Sequence, residues 1–400
     1  MAILALSMYS GLLVLALAVI LVLTTLLFLQ LCAAVRPANA PVPVAEKRPH
    51  LAVLMPAHNE SAGIAAALQS VQAQLAAGDR LLVVADNCSD DTASLATAAG
   101  AEVAVRDEPL RRGKGYALDF GVRHLEADPP EIVVIVDADC TLGRGCLDHL
   151  AQTSLKAMRP VQALDLMHSP PGADLPARLG ELAWLVKNEV RPLGGLRLGM
   201  PCQLMGTGMA FPWALVRTVA LASGHIAEDL VLGLDLASLG TPPLFCPQAV
   251  VSSSFPAAAG LGTQRTRWEH GHLSAIASHA PRLLWRALTR RQPQLAALVL
   301  DLCVPPLSVL ALVLTLGLAL AVVLVLIGGS AAPVWLALAA SALSGFGLLQ
   351  VWWRFGRSIV SLTELLAVPG YVLAKLPRYA RFAMGRRAEW VRTKRDDGTH

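Results

Sequence analysis

The chain has 400 residues, 54% of them apolar, a formal net charge of +4 and a mean hydropathy of +0.53. This hydropathy excludes an ordinary water-soluble domain. The basic residues lie beside the apolar segments, where anionic lipid headgroups would meet them, so the charge does not indicate nucleic acid as a partner. The seven cysteines include no Cys-x-x-Cys pair, which argues against a disulfide framework and a zinc site and favours a reduced compartment.

Residues 1–36 predict an N-terminal transmembrane anchor. The apolar run before the first charge, Arg36, is longer than the ~20 residues that span a bilayer. No Lys or Arg precedes the run, as one would in a signal peptide, so the anchor is expected to stay uncleaved. The proline-rich residues 37–49 predict a linker.

A second apolar zone, residues 295–353, predicts two transmembrane helices separated by a break at Gly328 to Pro333. Residues 281–294 ahead of it predict an interfacial helix. Residues 354–400 predict another interfacial helix, interrupted by Pro369 and Gly370, and a basic tail. Lys and Arg near the ends of the spans place the middle region and the tail on the cytoplasmic side.

Residues 50–280 have the size of one domain and alternate apolar strands with helical patterns. We predict strands at 51–56, 81–86, 102–105 and 132–139, and helices at 62–78, 90–100 and 115–127. Continuous apolar strands that alternate with helices are typical of an α/β fold with a mainly parallel sheet covered on both faces. Such sheets bind ligands beyond the carboxyl ends of their strands.

Polar residues follow these strands: Asn59 and Glu60 the first, Asp86 the second, and Asp137 and Asp139 the fourth. Alternation along a strand puts Asp137 and Asp139 on one face, where their charges repel. Mg²⁺ or Mn²⁺ would offset that repulsion and bring substrate phosphates with it. The residues alone leave a second interpretation open, in which Asp139 caps the next helix and Asp137 is a solvated strand end.

The phosphate-binding motifs of other α/β proteins are missing. No Gly-x-Gly-x-x-Gly follows the first strand, and the residues around Lys114 lack the frame of a P-loop. Arg111, Arg112 and Lys114 do form a basic loop ahead of a helix N-terminus, which would suit a phosphate. The alternative is a solvated cluster of charges.

Two later segments carry candidate residues. Glu228 and Asp229 begin a predicted amphipathic helix, where carboxylates can also simply complement the helix dipole. Gln264, Arg267 and Trp268 lie together in residues 262–273, which in isolation could be a surface helix with one half-buried tryptophan.

Taken in order, these motifs resemble the membrane-embedded family 2 glycosyltransferases, which include the cellulose, chitin, hyaluronan and poly-N-acetylglucosamine synthases. The motifs are Asp after the second strand, Asp-x-Asp after the fourth, Glu-Asp, and Gln-x-x-Arg-Trp, flanked by spans. The resemblance covers about residues 50–275. It implies a GT-A type domain and a metal-dependent, inverting transfer of a hexosyl group from a nucleotide sugar, with UDP favoured.

The resemblance also implies a role for each matching residue. Asn59, Glu60 and Asp86 would hold the nucleoside, and Lys114 and Asp137 would lie by the diphosphate and the ribose. Asp139 would be the metal ligand, and Asp229, with its neighbour Glu228, would be the general base. Gln264, Arg267 and Trp268 would cover the diphosphate and the acceptor.

Two positions depart from the family pattern. Ala227 stands where the family often has Thr, and Asp119 stands where Asn is common. Neither change removes a proposed ligand, but both weaken the transfer of acceptor specificity.

We expect the acceptor to be a growing saccharide in exopolysaccharide synthesis; the alternative is a single addition to a membrane lipid or lipid-linked sugar. A non-catalytic membrane scaffold is a third possibility. The presence of both Asp139 and Asp229 disfavours it, because a chain without activity would not need them. Three spans are few for a chain-exporting pore, so a homo-oligomer or an export partner is expected. The resemblance implies an integral protein of the bacterial inner membrane with a cytoplasmic catalytic domain and contacts with membrane lipid.

Overall fold

The computed structural model describes residues 2–36, 48–224, 227–254, 258–368 and 370. Side chains are described from Leu6 onward, except within 258–267. Most of the predicted linker (37–49) and of the predicted basic tail therefore lies outside the described residues.

The centre of the chain folds around an eight-stranded sheet with the strand order β3-β2-β1-β4-β7-β6-β8-β5. β1 to β4 are mutually parallel where they pair, β7 is antiparallel to both β4 and β6, β8 is parallel to β6, and β5 is antiparallel to β8. The strands are β1 (Leu51–Ala57), β2 (Arg80–Asp86), β3 (Glu102–Arg106), β4 (Ile132–Ile135), β5 (Thr141–Leu142), β6 (Val161–His168), β7 (Met209–Pro212) and β8 (Leu244–Ser254).

Helices cover this sheet and extend to both ends of the chain. They are α1 (Ala2–Ala34), α2 (Ile64–Gln72), α3 (Thr92–Ala98), α4 (Lys114–Leu125), α5 (Cys146–Ala157), α6 (Leu175–Leu185), α7 (Arg191–Arg197), α8 (Trp213–Val216), α9 (Glu228–Ser238), α10 (Ala258–Thr289), α11 (Pro293–Cys303), α12 (Leu307–Leu326), α13 (Ala332–Val351) and α14 (Leu362–Leu365). A π-helical turn, Val186–Val190, joins α6 to α7, and another, Trp352–Gly356, follows α13.

The predicted mainly parallel α/β sheet is confirmed, and its two covered faces follow from the alternation of the strands. In β1, Val53 and Met55 enter a core that contains α2 and α5 residues, while Ala52 and Leu54 enter a core that contains α4 and α9 residues. The fourth predicted strand ends at Ile135 rather than at 139, and the first predicted helix ends at Gln72 rather than at 78.

Among the described residues, three helices are long and apolar enough to cross a membrane: Leu6–Ala34, Leu307–Leu326 and Ala332–Gly356. They lie where the sequence predicts its spans, and they indicate that the protein associates with a membrane. The shorter apolar helix α11 precedes the second of them. Residues 281–294, predicted to form an interfacial helix, comprise the end of α10, a break, and the start of α11.

The first apolar helix is held against the sheet domain by α7. Gly194 lies so close to α1 that a Cβ built on it would be 1.9 Å from the backbone oxygen of Gln30. Three residues further on, Arg197 Nη1 donates to the carbonyl oxygens of Ala33, Ala34 and Arg36, at 2.8, 2.9 and 2.7 Å. Arg197 thereby satisfies carbonyl groups that the end of a helix leaves without intrahelical partners.

This close approach predicts that Gly194→Ala destabilises the protein by about 1–3 kcal/mol, because the added methyl forces α7 away from α1. Gly195→Ala is the matched control, since a Cβ there meets its nearest atom at 3.7 Å, an ordinary contact. Thermal unfolding of the two variants in the same detergent measures the difference. Equal midpoints would contradict the role of Gly194.

Candidate active site

The carboxyl ends of β2, β1 and β4 meet at one edge of the sheet, because these strands are adjacent and parallel. This edge brings together the polar residues that follow the three strands. Asp86 is the last residue of β2, Asn59 follows β1, and Asp137 follows β4. The predicted binding edge of the sheet is therefore lined by the side chains that the sequence singled out there.

Asn59 and Glu60 connect the end of β1 to the loop after β2. The Asn59 side chain accepts from the Ser89 backbone N–H at 2.7 Å and donates to the Ser89 hydroxyl at 3.1 Å. The Glu60 backbone N–H donates to the Thr92 hydroxyl at 2.8 Å. Asn59 has a φ of 55°, a conformation that asparagine tolerates better than most residues. These bonds fix the shape of the loop pair beside Asp86.

Asp86 is buried, with 7% of its surface exposed. Its Oδ1 accepts from Arg106 Nη1 at 2.5 Å and from Asn87 Nδ2 at 2.8 Å. The Arg106 guanidinium also lies over the Tyr116 ring, 5.7 Å from its centroid. Arg106 therefore positions the carboxylate of Asp86. Sequence reasoning missed this role because Arg106 follows the predicted third strand and belongs to no motif.

Lys114 lies at the centre of the site. Its ammonium forms an ion pair with Asp137 and donates to the Gly206 carbonyl oxygen at 2.9 Å. The Asp137 backbone N–H donates to the Thr207 hydroxyl at 3.1 Å. Burial alone would lower the pKa of Lys114, but the charges of Asp137, Glu228 and Asp229 outweigh it and raise that pKa above its usual range. Lys114 is therefore cationic at any physiological pH.

Glu228 and Asp229 begin α9 and face the same cleft as Lys114. Gly206 lies between Asp229 and Lys114, because a Cβ on it would lie 3.5 Å from both Asp229 Oδ2 and Lys114 Nζ. Burial raises the pKa of Asp229, and the Lys187 charge opposes that rise. A raised carboxyl pKa, closer to neutrality, suits a group that must take up a proton.

Asp139 lies two residues beyond Asp137, and both are half-buried. Burial raises the pKa of Asp137, Lys114 opposes the rise, and Asp139 adds to it, so the two carboxylates are close enough to interact. No cluster of three or more potential metal-ligating side chains occurs among the described residues. Asp137 and Asp139 could supply the one or two carboxylates by which proteins usually hold Mg²⁺, with substrate phosphates and water as the other ligands.

Trp268 packs on Trp184, with ring centroids 4.8 Å apart and the planes inclined by 44°. Trp184 donates from Nε1 to the Asp165 carbonyl oxygen at 3.1 Å, and the Lys187 ammonium lies 5.2 Å from the Trp184 ring centroid. Gln264 and Arg267 lie on the same helix as Trp268, α10, but their side chains fall outside the described residues.

Asp165 and Lys187 are site residues that sequence reasoning missed. Asp165 is 2% exposed, and burial raises its pKa to about 7 against the opposing charge of Lys187. The one available signal was a lone carboxylate within the apolar stretch Ala163 to Met167. Lys187 had none, because its position depends on the π-helical turn between α6 and α7.

A mainly parallel sheet with this edge, and with long apolar helices toward both ends of the chain, is the architecture of a GT-A type domain. Residues 49–271, more than half of the chain, match the family described as Glycosyltransferase like family 2. The chain belongs to that family.

Relatives of known sequence match a smaller part of the chain. The chain is 40% identical over 98 residues to an uncharacterized glycosyltransferase of Mycobacterium bovis. This match covers 24% of this chain and 40% of the relative. The chain is also 38% identical over 96 residues to glucosyl-3-phosphoglycerate synthase of Mycobacterium tuberculosis. This match covers 22% of this chain and 28% of the relative. The match thus spans less than half the length of these curated relatives.

Among solved structures, the chain is similar to a mannosyltransferase from Pyrobaculum calidifontis in complex with GDP-Man and Mn²⁺. The TM-score is 0.54 at 19% identity, and the alignment covers 94% of this chain and 100% of the mannosyltransferase. At this identity the likeness shows the shared fold.

The site predicts a pH dependence of stability. Burial, and after it the charge of Asp229, raises the pKa of Glu228 from 4.5 to about 7. A carboxyl whose pKa is higher in the folded chain stabilises the fold while protonated, and that contribution is lost as the pH rises from about 4.5 to 7. We expect the thermal midpoint of the ligand-free protein to fall across this window, and that of Glu228→Gln to fall less.

The exposed Glu126 supplies the matched control, Glu126→Gln, which should follow the wild-type curve. Parallel midpoint curves for wild type and Glu228→Gln between pH 4.5 and 8 would contradict the assignment.

Proposed function

We propose that the protein is a membrane-embedded, inverting hexosyltransferase that moves a sugar from a nucleotide sugar, with UDP favoured, to a growing saccharide. The observation that carries this proposal is the convergence of Lys114, Asp137 and Asp229 around Gly206 in one cleft. A cation that can meet a diphosphate then lies beside a carboxylate that can take a proton, which is what glycosyl transfer from a nucleotide sugar requires.

The donor would lie along the edge formed by β2, β1 and β4. Asn59, Glu60 and Asp86 would hold its nucleoside, and Asp137 would lie by the ribose and diphosphate. Lys114 can pair with Asp137 and with diphosphate oxygens, because an ammonium has three donors and the structure uses two of them. Gln264 and Arg267 are proposed to cover the diphosphate from α10.

Asp139 is proposed as the protein ligand of Mg²⁺ or Mn²⁺, with Asp137 beside it. When bound, such a cation offsets the negative charge that develops on the departing nucleoside diphosphate. Lys114 adds a fixed positive charge on the same side of the cleft. The nucleoside diphosphate would therefore leave into positively charged surroundings. These lower the barrier to cleavage of the bond between the anomeric carbon and the diphosphate oxygen.

Asp229 is proposed as the general base. It would take the proton of the acceptor hydroxyl while that oxygen attacks the anomeric carbon, and the bond to the diphosphate breaks as the new bond forms. One displacement by one base inverts the anomeric carbon, so an α-linked donor gives a β-linked product. Glu228, with its pKa raised to about 7 by burial and then by Asp229, keeps negative charge away from Asp229 while it is protonated.

The acceptor would approach from the side of Trp268, whose ring offers an apolar surface to a sugar. Single addition to a membrane lipid or lipid-linked sugar is the alternative, since the three long apolar helices of the described residues are few for a pore that exports a chain. A homo-oligomer or an export partner would supply further helices for export. We place the transferase domain on the cytoplasmic side of a bacterial inner membrane, because Arg36, Arg282 and Arg354 lie near the ends of the spans on that side.

The metal assignment predicts that Asp139→Asn abolishes metal-dependent release of nucleoside diphosphate, because an amide is a poorer ligand for a hard cation. Purified protein in lipid nanodiscs would be tested against a panel of UDP- and GDP-sugars with Mg²⁺ or Mn²⁺ and with a chelator. Exposed Asp128→Asn is the matched control and should keep wild-type release. Release that persists in the chelator would contradict a metal requirement, and release from no donor would contradict the proposed transferase.

The base assignment predicts that Asp229→Asn lowers transfer to the acceptor by about 10²–10⁴-fold while donor binding is kept. Asp235 lines the same cleft two turns further along α9, so Asp235→Asn is the matched control and should retain most of the rate. Single-turnover transfer rates at saturating donor separate chemistry from binding. A similar loss in both variants would show that Asp229 acts only through the charge of the cleft.

A further inference from the structure

Lys187 is a cation of the site to which the proposed mechanism gives no role. It belongs to the π-helical turn Val186–Val190, which joins α6 to α7. Such turns are rare, insert an extra residue into a helical run, and occur frequently at functional sites. The turn is therefore a reason to ask what Lys187 does.

Buried polar contacts fix this turn at both ends. Asn188, which is fully buried, donates from Nδ2 to Asp165 Oδ2 at 3.0 Å on β6. At the other end, Arg191 donates from Nη2 to Asp301 Oδ1 at 2.8 Å on α11. The backbone that carries Lys187 is therefore held against both the sheet and α11.

The Lys187 ammonium has no direct partner of opposite charge. It lies 5.2 Å from the centroid of the Trp184 ring, a distance at which an aromatic face attracts a cation. The side chain is exposed, and it makes neither a hydrogen bond nor an ion pair with any residue whose side chain the structure describes. Lys114, in contrast, is paired with Asp137. The charge of Lys187 is therefore still available to a neighbour.

Asp229 is that neighbour. Lys187 and Leu230, the residue after Asp229, line the same small space between the π-helical turn and α9. Burial lowers the pKa of Lys187, and among the charges that oppose this effect, that of Asp229 is the strongest. Burial likewise raises the pKa of Asp229, and Lys187 opposes that rise more strongly than Lys114 does. The two groups are therefore electrostatic partners across this space.

Donor binding makes such a partner necessary. The Lys114 ammonium pairs with Asp137 and donates to the Gly206 carbonyl oxygen, and in the proposed mechanism it also meets the diphosphate. A bound diphosphate would add negative charge to the cleft, which favours protonation of nearby carboxylates. A protonated Asp229 could not take the proton of the acceptor hydroxyl. Lys187 has no such commitment to the donor.

We propose that Lys187 is a positioning residue that keeps Asp229 ionised while the donor occupies Lys114, so that the base can accept the proton of the acceptor hydroxyl. This inference rests on the proposed function and adds a second cation to it. Other titratable or charged groups of the described residues also act on the pair. They are Asp165, Arg191, His272 and Asp301 around Lys187, and Lys114, Glu228 and Asp137 around Asp229.

The protonation of Asp229 can be measured without donor or acceptor. Infrared difference spectra between wild type and Asp229→Asn, both ligand-free in lipid nanodiscs, identify the carboxyl band of Asp229, which is then followed against pH. Removal of a neighbouring cation raises the pKa of a carboxyl, so in Lys187→Met we expect this band to titrate at a pH higher by about one unit. Lys187→Arg keeps the charge and should titrate like wild type. Lys156→Met removes an exposed lysine from α5 and is the matched control.

Transfer kinetics test the same pairing during the reaction. At saturating donor, Lys187→Met should lower the single-turnover rate about tenfold on the acid side of the pH profile and approach the wild-type rate at alkaline pH. The KM for the donor should not change. Burial raises the carboxyl pKa values of Glu228 and Asp165 to about 7. The displacement of the profile should therefore persist in Glu228→Gln and Asp165→Asn backgrounds if Asp229 is its source.

The inference is overturned if the Asp229 band titrates alike in wild type and Lys187→Met, or if the displacement disappears in either background. A rate that falls equally at every pH would also overturn it, because a merely structural role would act in that way. The proposed function fails separately if wild type releases nucleoside diphosphate from no donor. The infrared titration would then still report whether Lys187 and Asp229 are paired.

Discussion

The buried carboxylate of Asp301 joins four parts of the chain that are far apart in sequence. Gln30 reaches it from α1, Arg191 from α7, and Gln203 from the segment ahead of β7, while Asp301 itself belongs to α11. A buried charge is tolerated only where partners surround it, and removal of one partner of a buried pair typically destabilises a protein by about 3–5 kcal/mol. The position of the first apolar helix on the transferase domain is therefore set by polar contacts as well as by the close packing of Gly194.

The charges around Lys114 also constrain the site at the carboxyl ends of the strands. Asp137, Glu228 and Asp229 surround Lys114, and burial raises the pKa of each of these carboxyls. Without a donor, the cleft therefore contains more carboxyl groups than cations, and proton uptake relieves part of the repulsion. A nucleotide sugar would bring further negative charge, so its binding would require an added cation. The family resemblance implies that this cation is Mg²⁺ or Mn²⁺ and that Asp139 is its ligand. In the proposed mechanism, this excess of carboxyls would favour joint binding of the metal and the donor.

Local pattern predicted the first half of the domain well, because its strands are continuous apolar runs and its polar residues follow them directly. β1, β2 and β4 and the placement of Asp86, Asp137 and Asn59 at one edge come from that pattern. The second half depends on pairings that no short segment encodes. β7 enters antiparallel between β4 and β6, and this insertion brings Gly206 and Thr207 against Lys114 and Asp137. Asp165 and Lys187 were missed for the same reason, because each acquires its neighbours only when distant segments pack. Arg106 was missed because no motif marks it.

Gly206 lies between Lys114 and Asp229, and its lack of a side chain keeps the space between them open. Its φ of 94° favours glycine, and its carbonyl oxygen accepts from the Lys114 ammonium at 2.9 Å. A Cβ there would lie 3.5 Å from Asp229 Oδ2, in the space through which the proposed acceptor hydroxyl would reach Asp229. The backbone N–H of the preceding residue, Met205, donates to the buried Gln162 side chain at 2.8 Å. In the proposed mechanism this segment fixes the cation that meets the leaving group and leaves open the approach of the attacking oxygen, as a single displacement requires.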